Sequence, residues 1–240
     1  LSLIEDIEGL IIDAEFKNLK NFNKYSLLVK ANDISKEHYK TKTDDFIIDP
    51  AGNIPEQFRL PVEIVSSDLR RDRIVNMFEG ELKNVVVEDY FIRTISILDI
   101  LLEEIYSAIL RDQGKEERKI SEEVGFSPKK LPHVLLAEIP KFKTFTNSKG
   151  FGVVDYFYIY EIYRQYRHAI IHSNGTLNER HLKKIKNTCT TLTSHTGQEF
   201  KYEDLMFIKD NKIELTLEGM AILRHWVITF SSSMLTSLSK

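Results

Sequence analysis

Between residues 82 and 112 an apolar side chain returns after four positions, then three, in alternation: Phe91, Ile95, Leu98, Leu102, Ile105 and Ile109. That alternation keeps one stripe on one side of an α-helix, whereas a strand would alternate with a period of two. Each of these side chains contributes roughly 1.5–3 kcal/mol when fully buried. A stripe this long needs other helices to cover it, so it predicts a helical bundle. Ile97 and Leu101 widen the stripe enough for contact on two sides, and Gly114 ends the helix.

A second helix is predicted over 152–175, GVVDYFYIYEIYRQYRHAIIHSNG. Val153, Phe157, Tyr160, Tyr163 or Ile162, Tyr166 and Ile170 recur at helical spacing. Asn174–Gly175 stops it, because both residues tolerate the left-handed conformation that closes a helix. The aromatic stretch Tyr156–Tyr166 exceeds the needs of one core face, so part of it is expected to be buried between subunits. Polar groups crowd the exit: Arg164, Arg167, His168, His172, Ser173 and Asn174.

Leu3, Ile7, Leu10, Ile11 and Ala14 predict a helix over 3–18. From Asn21 to Pro61 the pattern weakens. Phe22, Tyr25, Leu27, Leu28 and Val29 suit a short strand or another helical turn. Asn32–Asp33, Asp44–Asp45, Asp49–Pro50, Gly52–Asn53 and Pro55 then mark turns. Residues 1–65 are therefore expected to be an N-terminal extension, loop-rich after its first helix, packed on a main domain over 66–240. Ser66, Ser67 and Asp68 are set to cap a helix through Leu69, Ile74, Val75 and Phe78 to Gly80, although Arg70, Arg71 and Arg73 oppose its dipole. Ser121 and Ser127–Pro128 look like further helix starts, and Pro132 and Pro140 limit the next part to short helices around Leu131–Ile139. Asn178 can cap a short helix carrying Arg180, His181, Leu182 and Ile185, followed by an exposed Thr-rich run, Thr188–Thr196. Phe207–Leu215 reads as a tight β-hairpin around Asp210–Asn211. Thr216 caps a last helix with Leu217, Met220, Leu223, Val227, Phe230 and Met234 inward. The expected class is mainly α with a short β-hairpin.

No apolar run approaches 18 residues, so no membrane span is expected. The acidic start LSLIEDIEGL lacks the basic region of a secretory signal. The single Cys189 excludes an intrachain disulfide and suits a reducing compartment, so a cytoplasmic location is expected. Walker, GxGxxG and GxSxG motifs are absent, which leaves nucleotide hydrolysis, dinucleotide binding and serine-hydrolase chemistry without support.

A formal net charge of −3 argues against a generally basic nucleic-acid coat. The distribution differs locally. Between 164 and 186 stand Arg164, Arg167, Arg180, Lys183, Lys184 and Lys186 against Glu179 alone. Such a patch can hold a phosphodiester backbone, or it can be a solvated helix face. His168 and His172 have the i, i+4 spacing of a zinc pair, and His181 is within reach. The protease motif's Glu is replaced by Ala169, and no Asp, Glu or Cys follows at ligand spacing, so neither metal nor cofactor is expected.

Arg167-His-Ala-Ile-Ile-His172 resembles the signature of the HEPN superfamily, helical domains many of which are metal-independent endoribonucleases of toxin and phage-defence systems. The resemblance covers about 80–240. It implies a HEPN-like bundle that dimerises through the helix ending at His172 and forms a composite site from two chains. Arg167 would hold the scissile phosphate and His172 would be the principal acid/base. His168, Asn174 and Arg164 would orient or assist, with Arg180, Lys183 and Lys184 on the RNA backbone. Asp99, Glu103 and Glu104 are the acidic residues of the first core helix that could contribute. The chemistry is coherent, since histidine titrates near neutrality and arginine fits phosphate bidentately. Five residues turn a helix by about 140°, so the long Arg167 side chain, or a loosened helix end, must close the angle to His172. The implied partners are RNA, a second copy and an antitoxin or defence-system protein. The Tyr that some toxin relatives carry two positions after the His is Asn174 here. The alternative is a HEPN-like domain that binds RNA or protein without cleaving.

Overall fold

A computed structural model describes residues 2–41, 46–48, 67–69, 71–126, 131–147, 150–202, 205 and 207–239. The chain is mainly α-helical. In order come α1 (Leu3–Thr41), β1 (Phe46–Ile48), β2 (Ser67–Leu69), α2 (Arg71–Glu79), α3 (Glu81–Asp112), α4 (Glu117–Phe126), α5 (Leu131–Glu138), α6 (Pro140–Thr144), α7 (Val153–Ser173), α8 (Glu179–Thr196), β3 (Ile208–Lys209), β4 (Lys212–Ile213) and α9 (Leu217–Ser239). Among the described residues no helix is long and apolar enough to cross a membrane. Two compact units are present, Leu1–Asn23 with Val87–Lys240, and Lys24–Val86.

In the larger unit α3 is the central element. All six residues of its expected seam are buried, and Leu101 with them. From α9, Met220, Leu223, Val227, Phe230 and Met234 are buried as the spacing predicts, while Leu217 is half-buried. From α7, Tyr156, Phe157, Tyr160 and Tyr166 are buried within the protomer itself. Phe157 meets Phe230 at 5.4 Å between ring centroids, Tyr163 meets Trp226 at 4.9 Å, and Tyr166 meets Phe91 at 6.3 Å. The chain's own core thus takes up much of the aromatic stretch, while Tyr158 and Tyr163 stay half-buried. The first turns of α1 belong to this core through Ile7, Ile11 and Ala14. Asn21 donates to the Thr94 hydroxyl at 3.1 Å, and Arg224 pairs with Glu15 at 2.5 Å.

In the smaller unit, Asn32 Nδ2 donates to the Phe78 carbonyl at 2.6 Å and Tyr39 stacks on Phe78 at 5.7 Å. β1 pairs antiparallel with β2, with Ile47 opposite Asp68.

Several local expectations give way. α1 runs on to Thr41: of the two alternatives for Phe22–Val29 the helical one holds, and Asn32–Asp33 lies within the helix and makes no turn. Ser67 and Asp68 lie in β2, and α2 begins at Arg71. α4 begins at Glu117, inside the charged stretch, and not at Ser121. α8 extends to Thr196, so the Thr-rich run is helical, with Cys189 and Leu192 buried. α5 and α6 are the short helices expected, with Pro140 opening α6. In the hairpin Ile208 stands opposite Ile213, with Asp210 and Asn211 at φ 49° and 61°, as a tight hairpin turn requires. The turns expected from Asp44 to Pro61 fall outside the described residues, apart from Phe46–Ile48. The expected roles of Ser66, Arg70 and Ser127–Pro128 fall outside them too.

Candidate functional site

Both ends of α7 are fixed by local chemistry. At its start the Gly152 N–H donates to Asp155 Oδ2 at 2.7 Å, which satisfies one orphan donor of the first turn. Asp155 is buried, and its Oδ1 contacts His195 Nδ1 at 2.7 Å, which ties α7 to the last turn of α8. At its end Asn174 adopts the left-handed conformation, φ 48°, and the Gly175 N–H returns to the Ala169 carbonyl at 3.0 Å. Asn178 then starts α8 by accepting from the His181 N–H at 3.0 Å. The short turn between them sets α7 and α8 side by side.

A groove of about 820 Å³ runs along this pair. Arg164, Arg167, His168, His172, Arg180 and Lys184 all line it. Asn174 and Lys183 do not: Asn174 is the helix cap, and Lys183 is exposed elsewhere on α8. α7 stays helical to Ser173, so no loosened end brings Arg167 towards His172. The breadth of the groove spans the two instead.

Arg167 and Arg164 share one carboxylate. Asp99, from α3, accepts from Arg167 Nη1 at 2.9 Å and lies 3.3 Å from Arg164 Nε. Tyr160 donates to the same carboxylate, and Arg164 also pairs with Glu161 at 3.2 Å. These side chains are largely buried, so the pairs are better shielded from water than a surface bridge. Burial pushes the Glu161 carboxyl up, against the pull of Arg164. Burial, with Asp99 next, pushes the Tyr160 phenol up as well, so it remains a donor to Asp99. Asp99 therefore acts as a post that fixes the position of Arg167.

Histidines form a chain at the same end. The Asn178 N–H points at His181 Nδ1 over 3.4 Å, so Nδ1 accepts and Nε2 carries the hydrogen. That Nε2 lies 3.0 Å from His168 Nδ1. His168 must then accept at Nδ1 and carry its own hydrogen on Nε2. Burial, then His168, Lys184 and Arg180, hold the His181 pKa below its usual value, which agrees with a neutral ring bonded on both sides. His172 stacks beside His168 at 4.6 Å between centroids and is exposed. Among the described residues no group of three or more His, Cys, Asp or Glu side chains is arranged to hold a metal ion.

Arg167, His168 and His172, which local spacing groups together, thus line one groove. Asp99 stood only as one of three acidic residues on α3, and His181 only as a zinc ligand within reach. His133 and Tyr158 also line the groove and carried no signal beyond their residue type. Compared with protein families, curated proteins and solved structures, the chain has no match.

Proposed function

We propose that this chain is a metal-independent endoribonuclease with a HEPN-like helical domain, of the kind used by toxins and antiviral defence, and that the α7–α8 groove is its active site. One observation carries the reading: Arg167, His168 and His172 converge on a single groove that also holds Arg180 and Lys184. RNA is the polymer suited to this set, because its own 2′-hydroxyl supplies the nucleophile. His172 takes the 2′-hydroxyl proton. The 2′-oxygen bonds to phosphorus, the bond from phosphorus to the 5′-oxygen breaks, and the His172 imidazolium returns the proton to that leaving oxygen. Arg167 steadies the charged phosphorane with the part of its guanidinium that Asp99 leaves open. His168 offers its Nε2–H to a phosphate oxygen, with His181 holding its tautomer. A single protomer brings the guanidinium and both imidazoles to one groove, so the reading does not depend on a composite site.

The products expected are a 2′,3′-cyclic phosphate and a 5′-hydroxyl, formed in EDTA, with 2′-O-methyl RNA and DNA inert. His172→Ala should lose roughly 10²–10⁴ of the rate. Arg167→Lys should also lose most of it, since one ammonium cannot copy the guanidinium fork. Expression should slow a bacterial host unless a restraining protein is present, and His172→Ala should relieve the effect. Products with a 5′-phosphate would end this reading. A groove that binds RNA without cutting it is the second reading. It is favoured by the Arg167–Asp99 ion pair, which spends part of the charge that the phosphorane needs. RNA retained intact by wild type and His172→Ala alike would select it.

A further inference from the structure

On α1, Ile12, Phe16 and Leu19 are 46%, 66% and 39% exposed. At about 100° per residue they fall within about 60° of one another. They lie on the side away from Ile7, Ile11 and Ala14, which the core buries. This stripe ends at Asn23, which is exposed on the same face. A clustered apolar patch of this kind marks an interaction surface.

The charges beside the stripe change sign once. From Leu3 to Glu15 the helix carries Glu5, Asp6, Glu8, Asp13 and Glu15 and no base. From Phe16 to Ala31 it carries Lys17, Lys20, Lys24 and Lys30 and no acid. The stripe is thus flanked by acid on one side of Phe16 and by base on the other. Two copies laid parallel would place like charge on like. Laid antiparallel about Phe16, they bring Ile12 beside Leu19 of the second copy and Asp13 beside its Lys20, and the symmetry repeats both contacts. Asp13 and Lys20 lie on the same flank of the stripe, which is the arrangement an antiparallel helix pair needs. The surface is complementary to itself in shape of pattern and in charge, and a two-fold axis requires that of an isologous contact.

We infer that the outward face of α1 docks a second copy of this chain, antiparallel, with the two Phe16 side chains meeting on the two-fold axis. The inference is independent of what the α7–α8 groove does, and it assigns the dimer to a helix other than α7. An unrelated helical partner could cover the apolar stripe, but it would have no reason to match the single change of charge at Phe16.

The test uses the full chain. Light scattering on a sizing column at micromolar concentration should give a dimer. Phe16→Glu should weaken that dimer roughly 30-fold or more, as loss of a central anchor does, with an unchanged circular-dichroism spectrum because Phe16 is solvent-exposed in the protomer. Orientation is read separately. Phe16→Cys should form a disulfide-linked dimer on mild oxidation, and Glu5→Cys, which an antiparallel pair carries to opposite ends, should not. The native Cys189 is buried and does not compete. A monomeric wild type, a dimer indifferent to Phe16→Glu, or equal crosslinking of the two cysteine variants would each overturn the inference.

Discussion

His181 is bonded at both ring nitrogens, and that arrangement has a pH signature. Burial, then His168, Lys184 and Arg180, depress its pKa in the folded chain. An unfolded histidine titrates near 6.5. Below that value the unfolded chain binds the proton that folded His181 refuses, so its contribution to stability is full above about pH 6.5 and falls away as pH drops through the folded pKa. His181→Gln should therefore lower stability at neutral pH yet flatten its decline towards about pH 5. Urea denaturation across that range checks this, and parallel curves for wild type and variant would remove the role. Asp99 is the other fixed point. Asp99→Ala would strand the guanidiniums of Arg164 and Arg167, at a cost of about 1–3 kcal/mol by urea titration. Any cleavage should fall with it, because Arg167 loses its post. At this scale the shared placement of Arg167, His168 and His172 on the groove was legible, because the three share one helical stretch. Asp99 was not singled out, since it sits 68 residues before Arg167 and the sequence treats it like Glu103 and Glu104. Only the way α3 packs against α7 selects it. The cap from Asn178 to His181 could be read in the chain, but the ring's approach to His168 depends on the turn between α7 and α8.

The elements differ in how openly their residues declare them. α3 was plain because, of its buried positions, all but Thr94 are apolar or aromatic. α1 was cut short because its buried side carries Asn18 and Asn32 beside Ile7, Ile11 and Tyr25, while Ile12, Phe16, Leu19 and Leu27 face water. Polar residues inside and apolar residues outside cancel the amphipathic pattern on which a sequence reading depends. Along α8 the Thr-rich run is expected to be exposed and to follow a short helix. Thr188, Thr190, Thr191 and Thr196 instead return their hydroxyls to the carbonyls of Lys184, Lys186, Asn187 and Leu192, a bond that lets threonine remain in a helix. The start of α7 offers a test. A Cβ on Gly152 would stand 2.4 Å from the Phe145 carbonyl oxygen, and backbone cannot swing aside as a side chain can. Gly152→Ala should cost about 1–3 kcal/mol, as overpacking does. At roughly 2–4 °C per kcal/mol for a chain of this size, the melting temperature should fall by several degrees. An unchanged melting temperature would mean that α7 can start without this close approach.

Over the whole molecule, 33 basic side chains face 36 acidic ones, so bulk charge draws no polyanion to it. Any attraction must come from where the cations lie. Of the local cluster, the groove retains Arg164, Arg167, Arg180 and Lys184. Arg164 is held by both Asp99 and Glu161 and Arg167 by Asp99 alone, so the phosphate contacts are counted on Arg167, Arg180 and Lys184. Three contacts on a single strand give a slope of log affinity against log salt of about −2, at about −0.7 for each phosphate neutralised. Binding of a short single-stranded RNA to His172→Ala, which should not cut it, is therefore expected to weaken roughly 20-fold between about 50 and 200 mM salt. Removing Arg180 and Lys184 together should bring the slope to about −0.7. Lys183→Ala should leave it nearly unchanged, since Lys183 neighbours both in sequence yet lies outside the groove. A slope near zero in the parent would show that the groove does not hold a phosphate backbone. A slope that survives loss of Arg180 and Lys184 would place the RNA on another surface, and the endoribonuclease reading of Arg167 and His172 would lose its substrate.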